Sequence, residues 1–143
     1  MTEPGLMQIS PDLVDRLRRS TDETRHQIVE RACRLAMQRA GVTAPELNEA
    51  LDAIRQRRFG VSSLRINIDA LEQQLDEVAW DIQDRIVSGD TSEAEYLRAF
   101  AKARAVAAIG LALDGTLSAS FDSLYEAYYA IDNRDEYMAV VAD

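Results

Sequence analysis

The segment SLRINIDALEQQLDEVAWDIQDRIV (63–87) decides the fold. Leu64, Ile68, Leu71, Leu75, Val78 and Ile82 recur at intervals of four, three, four, three and four. That spacing puts them in one continuous stripe along an α-helix and fits no strand of alternating apolar and polar residues. The run is shorter than three heptads and other apolar segments flank it, so it reads as a bundle helix rather than an intermolecular coiled coil. Trp80 falls off the stripe, on the opposite face, with Ile66 and Val87 at multiples of seven from it. Tryptophan is usually mostly buried, so a helix sandwiched between two layers is expected; the alternative is an exposed apolar site.

Outward from this segment, helix signals punctuate the chain. Ser10-Pro11-Asp12 opens a short helix, with Pro suited to the first helical position. Ser20-Thr21-Asp22-Glu23 reads as a capping box for a helix to Ala40, stopped by Gly41. Thr43-Ala44-Pro45-Glu46 opens the next, which ends near Phe59-Gly60, and Ser62 or Ser63 opens the long helix. Ser92-Glu93-Ala94-Glu95 starts a helix that stops at Asp114-Gly115, and two more follow at about 118–131 and 134–142. The expectation is a flexible N-terminal tail over 1–9 and a single all-α domain over 10–143, a bundle of six or seven helices.

Within it, AVAAIGLAL (105–113) is apolar all round and built of small residues, which suits a central helix approached closely from several sides. A shift of 74 residues sets Gly41 on Gly115 and Leu47, Ala50, Leu51 and Ile54 on Phe121, Leu124, Tyr125 and Tyr128. Two HEAT-like helical hairpins flanking a long central helix would produce that pattern.

Composition narrows the function classes. A length of 143 residues is that of one domain, and 47% hydrophobic with 29% charged residues is a globular balance. One Cys excludes an intramolecular disulfide framework, and one His excludes His-rich zinc sites and two-His di-iron cores. A net charge of −9 argues against direct nucleic-acid binding. The longest apolar run, Ala105 to Leu113, is well short of the ~20 residues a membrane helix needs. No secretory signal is legible at the N-terminus, so with the lone Cys a cytoplasmic setting is expected.

Chemical motifs are scarce. There is no G-x-x-x-x-G-K and no G-x-G-x-x-G. His26 and Cys33 could share a helix face, but ~10 Å along the axis is too far for a nucleophile–base hydrogen bond. Glu23-Thr24-Arg25-His26 has Glu-x-x-His spacing without the second histidine a di-iron site needs. Asp69, Glu72 and Asp76 lie near one face of the long helix, and Glu77, Asp81 and Asp84 near another. Such carboxylates can hold Mg²⁺, as in all-α nucleotide pyrophosphatases, which add a second Glu-rich helix motif that this sequence lacks. A metal-dependent hydrolase is therefore one alternative, a solvated acidic face the other.

Charge points instead to a partner surface. Residues 1–60 carry ten Arg and nine acids, whereas 61–143 carry six basic residues and sixteen acids. The end of the chain, 118–143, holds Asp122, Glu126, Asp132, Asp135, Glu136 and Asp143 against Arg134, with Phe121, Tyr125, Tyr128, Tyr129 and Tyr137. Asp122, Glu126, Tyr129, Asp132 and Asp135 form the candidate partner-binding set: aromatic area beside charges that steer a basic protein. Arg55, Arg57 and Arg58 are expected to complement a helix C-terminus.

The stretch RACRLAMQRAGVTAPELNEALDAIRQRRFG (31–60), followed by AFAKARAVAAIGLAL (99–113), resembles small helical immunity proteins encoded beside secreted bacterial toxins. The resemblance is one of texture over half the chain, and it implies a stoichiometric binder that neutralises a toxin by contact. The expectation is thus a non-catalytic acidic protein-binding module without a cofactor, with a metal-dependent hydrolase and a homo-oligomeric scaffold joined through the Trp80 face as alternatives.

Overall fold

A computed structural model describes residues 3–89 and 92–142. Among them run eight helices and no strand: α1 Leu6–Ile9, α2 Pro11–Arg19, α3 Asp22–Ala40, α4 Pro45–Arg55, α5 Ser62–Val87, α6 Glu93–Ala112, α7 Leu117–Ile131 and α8 Arg134–Val141. Side chains satisfy free backbone N–H groups at several helix starts. Ser10 accepts from the Leu13 N–H, Ser92 from Glu95, Thr116 from Ala119 and Asn133 from Glu136. At α3 the cap is Thr21 rather than Ser20, whose hydroxyl instead donates to the Arg16 carbonyl at the end of α2. Neither Ser62 nor Ser63 caps α5; both lie inside it, after Val61. α4 stops at Arg55, earlier than its sequence suggests, because Arg57 turns to a left-handed φ of 59°.

The expected tail over 1–9 is overturned from Leu6 onward; residues 1 and 2 lie outside the described residues. Leu6 and Ile9, three apart, share one face of α1 and are both buried. Gly5 lies against the Tyr125 ring, where a Cβ would come within 3.0 Å of Cε2.

The core sits around the C-terminal half of α6, where Ala103, Ala105 to Gly110 and Ala112 are all buried. α7 packs closely on this segment, and α3 covers both. A buried polar node fixes their register: the Ser123 hydroxyl donates to the Ala108 carbonyl at 2.7 Å and lies 3.5 Å from the Cys33 thiol. α8 closes the far side through Tyr137, whose hydroxyl donates to the Leu124 carbonyl at 2.9 Å. Gly110 lets α5 come close, since a Cβ there would lie 3.1 Å from Ile68 Cγ2.

α5 is peripheral rather than central. It packs along α6 and touches α4, and only Ile68 and Ala79 are buried in its 26 residues. The hairpins of the 74-residue shift are likewise not equivalent. Gly41 and Gly115 do both take left-handed φ, 70° and 79°, after their helices. But α3 packs chiefly on α7 and α6 and only lightly on α4, whereas α6 and α7 pair closely. The shared pattern reflects amphipathic helices ending at glycine, not a stacked repeat.

Candidate protein-interaction surface

α7 turns Phe121, Leu124, Ala127 and Ile131 inward. The same helical period brings Asp122, Glu126 and Tyr129, at i, i+4 and i+7, to the outer face. Tyr129 is 40% exposed, and its ring is held edge-on by Tyr125 at 5.2 Å and Tyr128 at 5.3 Å. Tyr128 in turn packs edge-on against the buried Tyr137 ring at 5.1 Å. A surface ring anchored this way has little rotamer freedom left to lose on contact. Hydrogen bonding to Tyr125, then burial, holds the Tyr129 phenol above the ordinary tyrosine range.

Glu126 is not free. Arg104 on α6 donates to it at 2.9 Å and to Asp76 on α5 at 2.8 Å, with Glu72 at 3.7 Å. One guanidinium thus faces three carboxylates, and its own plane lies over Phe100 at 5.5 Å. Burial raises the Glu72 pKa, opposed by Arg104 and reinforced by Asp76. Burial works against the Arg104 charge, yet Glu126 and Asp76 hold its pKa above the usual value.

Asp132 and Asp135 are exposed but sit at the corner between α7 and α8, beyond the Tyr129 end. Each has a local role: Asp132 closes α7 in a left-handed conformation, φ 51°, and Asp135 lies in the first turn of α8, where a carboxylate complements the helix dipole. The structure therefore brings Asp122, Glu126 and Tyr129 together and leaves Asp132 and Asp135 at the edge. Asp143 lies outside the described residues.

Apart from Glu72 and Asp76, which meet at Arg104, the carboxylates of α5 are held separately. Asp69 is bound by Arg65 at 2.8 Å, Asp81 pairs with Arg85 at 3.4 Å and Glu77 accepts from Gln73 at 3.5 Å. Among the described residues no group of three or more His, Cys, Asp or Glu side chains is placed to hold a metal. No helix among them is long and apolar enough to cross a membrane.

The lone His and Cys have structural surroundings. His26 stacks on Phe59 with centroids 4.6 Å apart, and a ring nitrogen lies 3.1 Å from the Gly115 carbonyl, to which buried Arg25 also donates. Glu23 is taken by Arg57 at 2.8 Å, and Arg57 also donates to the Ile54 carbonyl at the end of α4, the helix-terminal role expected of that cluster. Cys33 is fully buried, and burial pushes its thiol up to about 12.

Trp80 overturns the expectation of burial. It is 58% exposed, with Ile66 at 66% and Val87 at 90% on the same face. Its heptad spacing was legible; that α6 alone would cover the far half of α5 was not. On the other side of the α5–α6 pair, Val78 and Leu97 are also half exposed, and a hollow of about 270 Å³ opens between Val78 and Ile82 on α5 and Arg98 and Lys102 on α6. Comparison with family models, curated proteins and solved structures finds no match for this chain.

Proposed function

We propose that this chain is a non-catalytic module that binds a basic protein, and that its outer α7 face is a contact surface. The observation that carries the reading is the pinned Tyr129 ring standing 40% exposed on the face of α7 that also carries Glu126, about one turn before it, and Asp122, about two turns before it. A rigid aromatic anchor beside carboxylates combines contact area at low entropic cost with charge that steers encounter. The excess of sixteen acids over six basic residues in 61–143 extends that field well beyond the anchor. Neutralising a toxin by stoichiometric contact is the specific role that the resemblance to small helical immunity proteins adds.

The test immobilises the protein and exposes it to lysate of its native source at low and moderate salt. A stoichiometric basic partner, weakened by salt, is the expected result. The same capture with Asp122→Lys, Tyr129→Ala and Asp135→Lys combined should lose that partner. Glu126 stays intact in this variant because the Arg104 node needs it. Undiminished capture by the variant removes the α7 face from the proposal, and absence of any partner at either salt removes the binding role.

A further inference from the structure

We infer that the outward face of α5, carrying Ile66, Trp80 and Val87, is a second docking surface and that its occupant is a basic amphipathic helix of a partner protein. The inference rests on the reading of the chain as a protein-binding module but concerns a different surface. Ile66, Gln73, Trp80 and Val87 repeat every seven residues, so they line up along one side of a helix 26 residues long. Trp80 and Val87 stand 58% and 90% exposed about two turns apart on this ridge, and Ile66, 66% exposed, lies about four turns before Trp80 with Gln73 between. Helical spacing at the ridge, rather than a concave pocket, suits a partner that is itself a helix with apolar anchors at matching intervals.

Charge decides between occupants. Asp69, Glu77, Asp81 and Asp84 are all exposed along α5 around the ridge; Arg65 and Arg85 offset Asp69 and Asp81, and Glu77 and Asp84 are left as the acid excess. A second copy of this chain meets that field badly. In an antiparallel pairing that sets Ile66 against Val87 and Gln73 against Trp80, Asp69 faces Asp84. A parallel pairing in register sets every acid against itself. Like charges across a helix pair oppose association, whereas Lys and Arg beside the apolar seam of a partner helix would meet acids on both sides. The ridge is also joined to the α7 face: Arg104 bonds Asp76, four residues before Trp80, and Glu126, three before Tyr129. A partner covering both surfaces would bury the node between them.

Trp80 is the sole tryptophan, so its fluorescence reports this face directly. The probe is a synthetic helix of about three heptads with Leu at the seam positions and Lys and Arg flanking them. Titrated into the full chain, it should bind saturably and shift Trp80 emission to the blue, while the same peptide with Glu flanks should do neither. Ile66→Lys with Val87→Lys, checked for unchanged helicity, should weaken binding at least about tenfold. Asp122→Lys with Tyr129→Ala should leave it unchanged, which separates this inference from the α7 reading. The inference is overturned if the basic peptide leaves Trp80 emission unshifted, if Ile66→Lys with Val87→Lys binds as well as the wild type, or if only the α7 variant loses the peptide. It is overturned equally if sedimentation shows a dimer whose Trp80 is already shielded from quencher, since a second copy would then be the occupant.

Discussion

The two halves of α6 belong to one helix and live in different solvents. From Ala103 to Ala112 nearly every residue is buried, with α3, α5 and α7 around it. From Glu93 to Lys102 none is buried, and Leu97 stands half exposed. The C-terminal half is small-sided (AVAAIGLA), so three helices approach it at once; the N-terminal half (EAEYLRAFAK) carries larger and charged side chains and pairs with the distal part of α5. A helix with one neighbour can bury only one stripe, whatever its composition. Apolar residues off that stripe, Trp80 and Val87 on α5 among them, are left to water.

The sharpest way to break this comparison is a matched pair of substitutions within α6. Ile109→Ala, at a fully buried position, should cost about 2–5 kcal/mol, because deleted contacts and a residual cavity add. Leu97→Ala, in the exposed half, should stay within about 0.5 kcal/mol. Denaturant midpoints at equal m-value measure both. Similar costs at the two sites would mean that the exposed half is packed against something in solution.

Arg104 lies where the two halves meet, and removing it sharpens the boundary. Arg104→Ala leaves Glu72, Asp76 and Glu126 facing one another without a cation, and should cost about 1–3 kcal/mol, between the values of exposed and buried pairs. The pH dependence gives the cause. Glu72 already has a raised pKa, and losing Arg104 raises it further. A carboxyl raised on folding contributes stability at pH below its unfolded value, and that contribution is lost as pH rises through the folded value. The deficit of the variant should therefore shrink as pH falls toward 4.5, the ordinary glutamate value. A deficit independent of pH would assign the effect to lost packing on Phe100 instead.

How far these features were legible in the sequence follows from what each depends on. Helix positions were legible because caps and apolar spacing are local: Ser10, Ser92 and Gly41 act within one turn of their own position. The peripheral place of α5 was not, because Leu64 to Ile82 makes the same stripe whether one helix or three lie against it. Nor was α1, since Leu6 and Ile9 form too short a pattern to separate from a tail without seeing Tyr125 beside Gly5. For the candidate surface, the i, i+4, i+7 grouping of Asp122, Glu126 and Tyr129 could be read from periodicity. The engagement of Glu126 could not, because Arg104 is 22 residues away in the chain.

The packing around that buried half of α6 also holds the one thiol, on α3, which makes it visible to alkali. Cys33 is neutral to about 12, against an ordinary value of 9.0. A group whose pKa is raised on folding stabilises fully below its unfolded value and loses that contribution as pH rises toward the folded one. Stability should therefore fall by about 1.4 kcal/mol per pH unit above 9 from this group alone. Tyr137, raised by burial, steepens the fall at higher pH. Cys33→Ala should flatten the first part of that decline in thermal melts, and native Cys33 should resist alkylation near pH 8 until the protein is unfolded. Rapid native alkylation would show that α3 and α7 open readily around Ser123.

The smallest expected effect is the most informative about the exposed half. A fully buried tryptophan truncated to alanine costs about 3–5 kcal/mol. Trp80 is 58% exposed, so most of its ring gains nothing from folding, and Trp80→Ala should change stability by no more than about 0.5 kcal/mol. Its emission should lie near that of indole in water and be quenched readily by acrylamide. A cost well above 1 kcal/mol would mean that the ring is covered in solution, and its dependence on protein concentration would say by what. A cost growing with concentration assigns the cover to a second copy, because mass action then enters the measured stability. A cost independent of concentration assigns it to the chain itself, with the distal part of the α5–α6 pair folded against the body. The face would then be part of the core, and the contrast between the two halves of α6 would describe a composition difference with no consequence for binding.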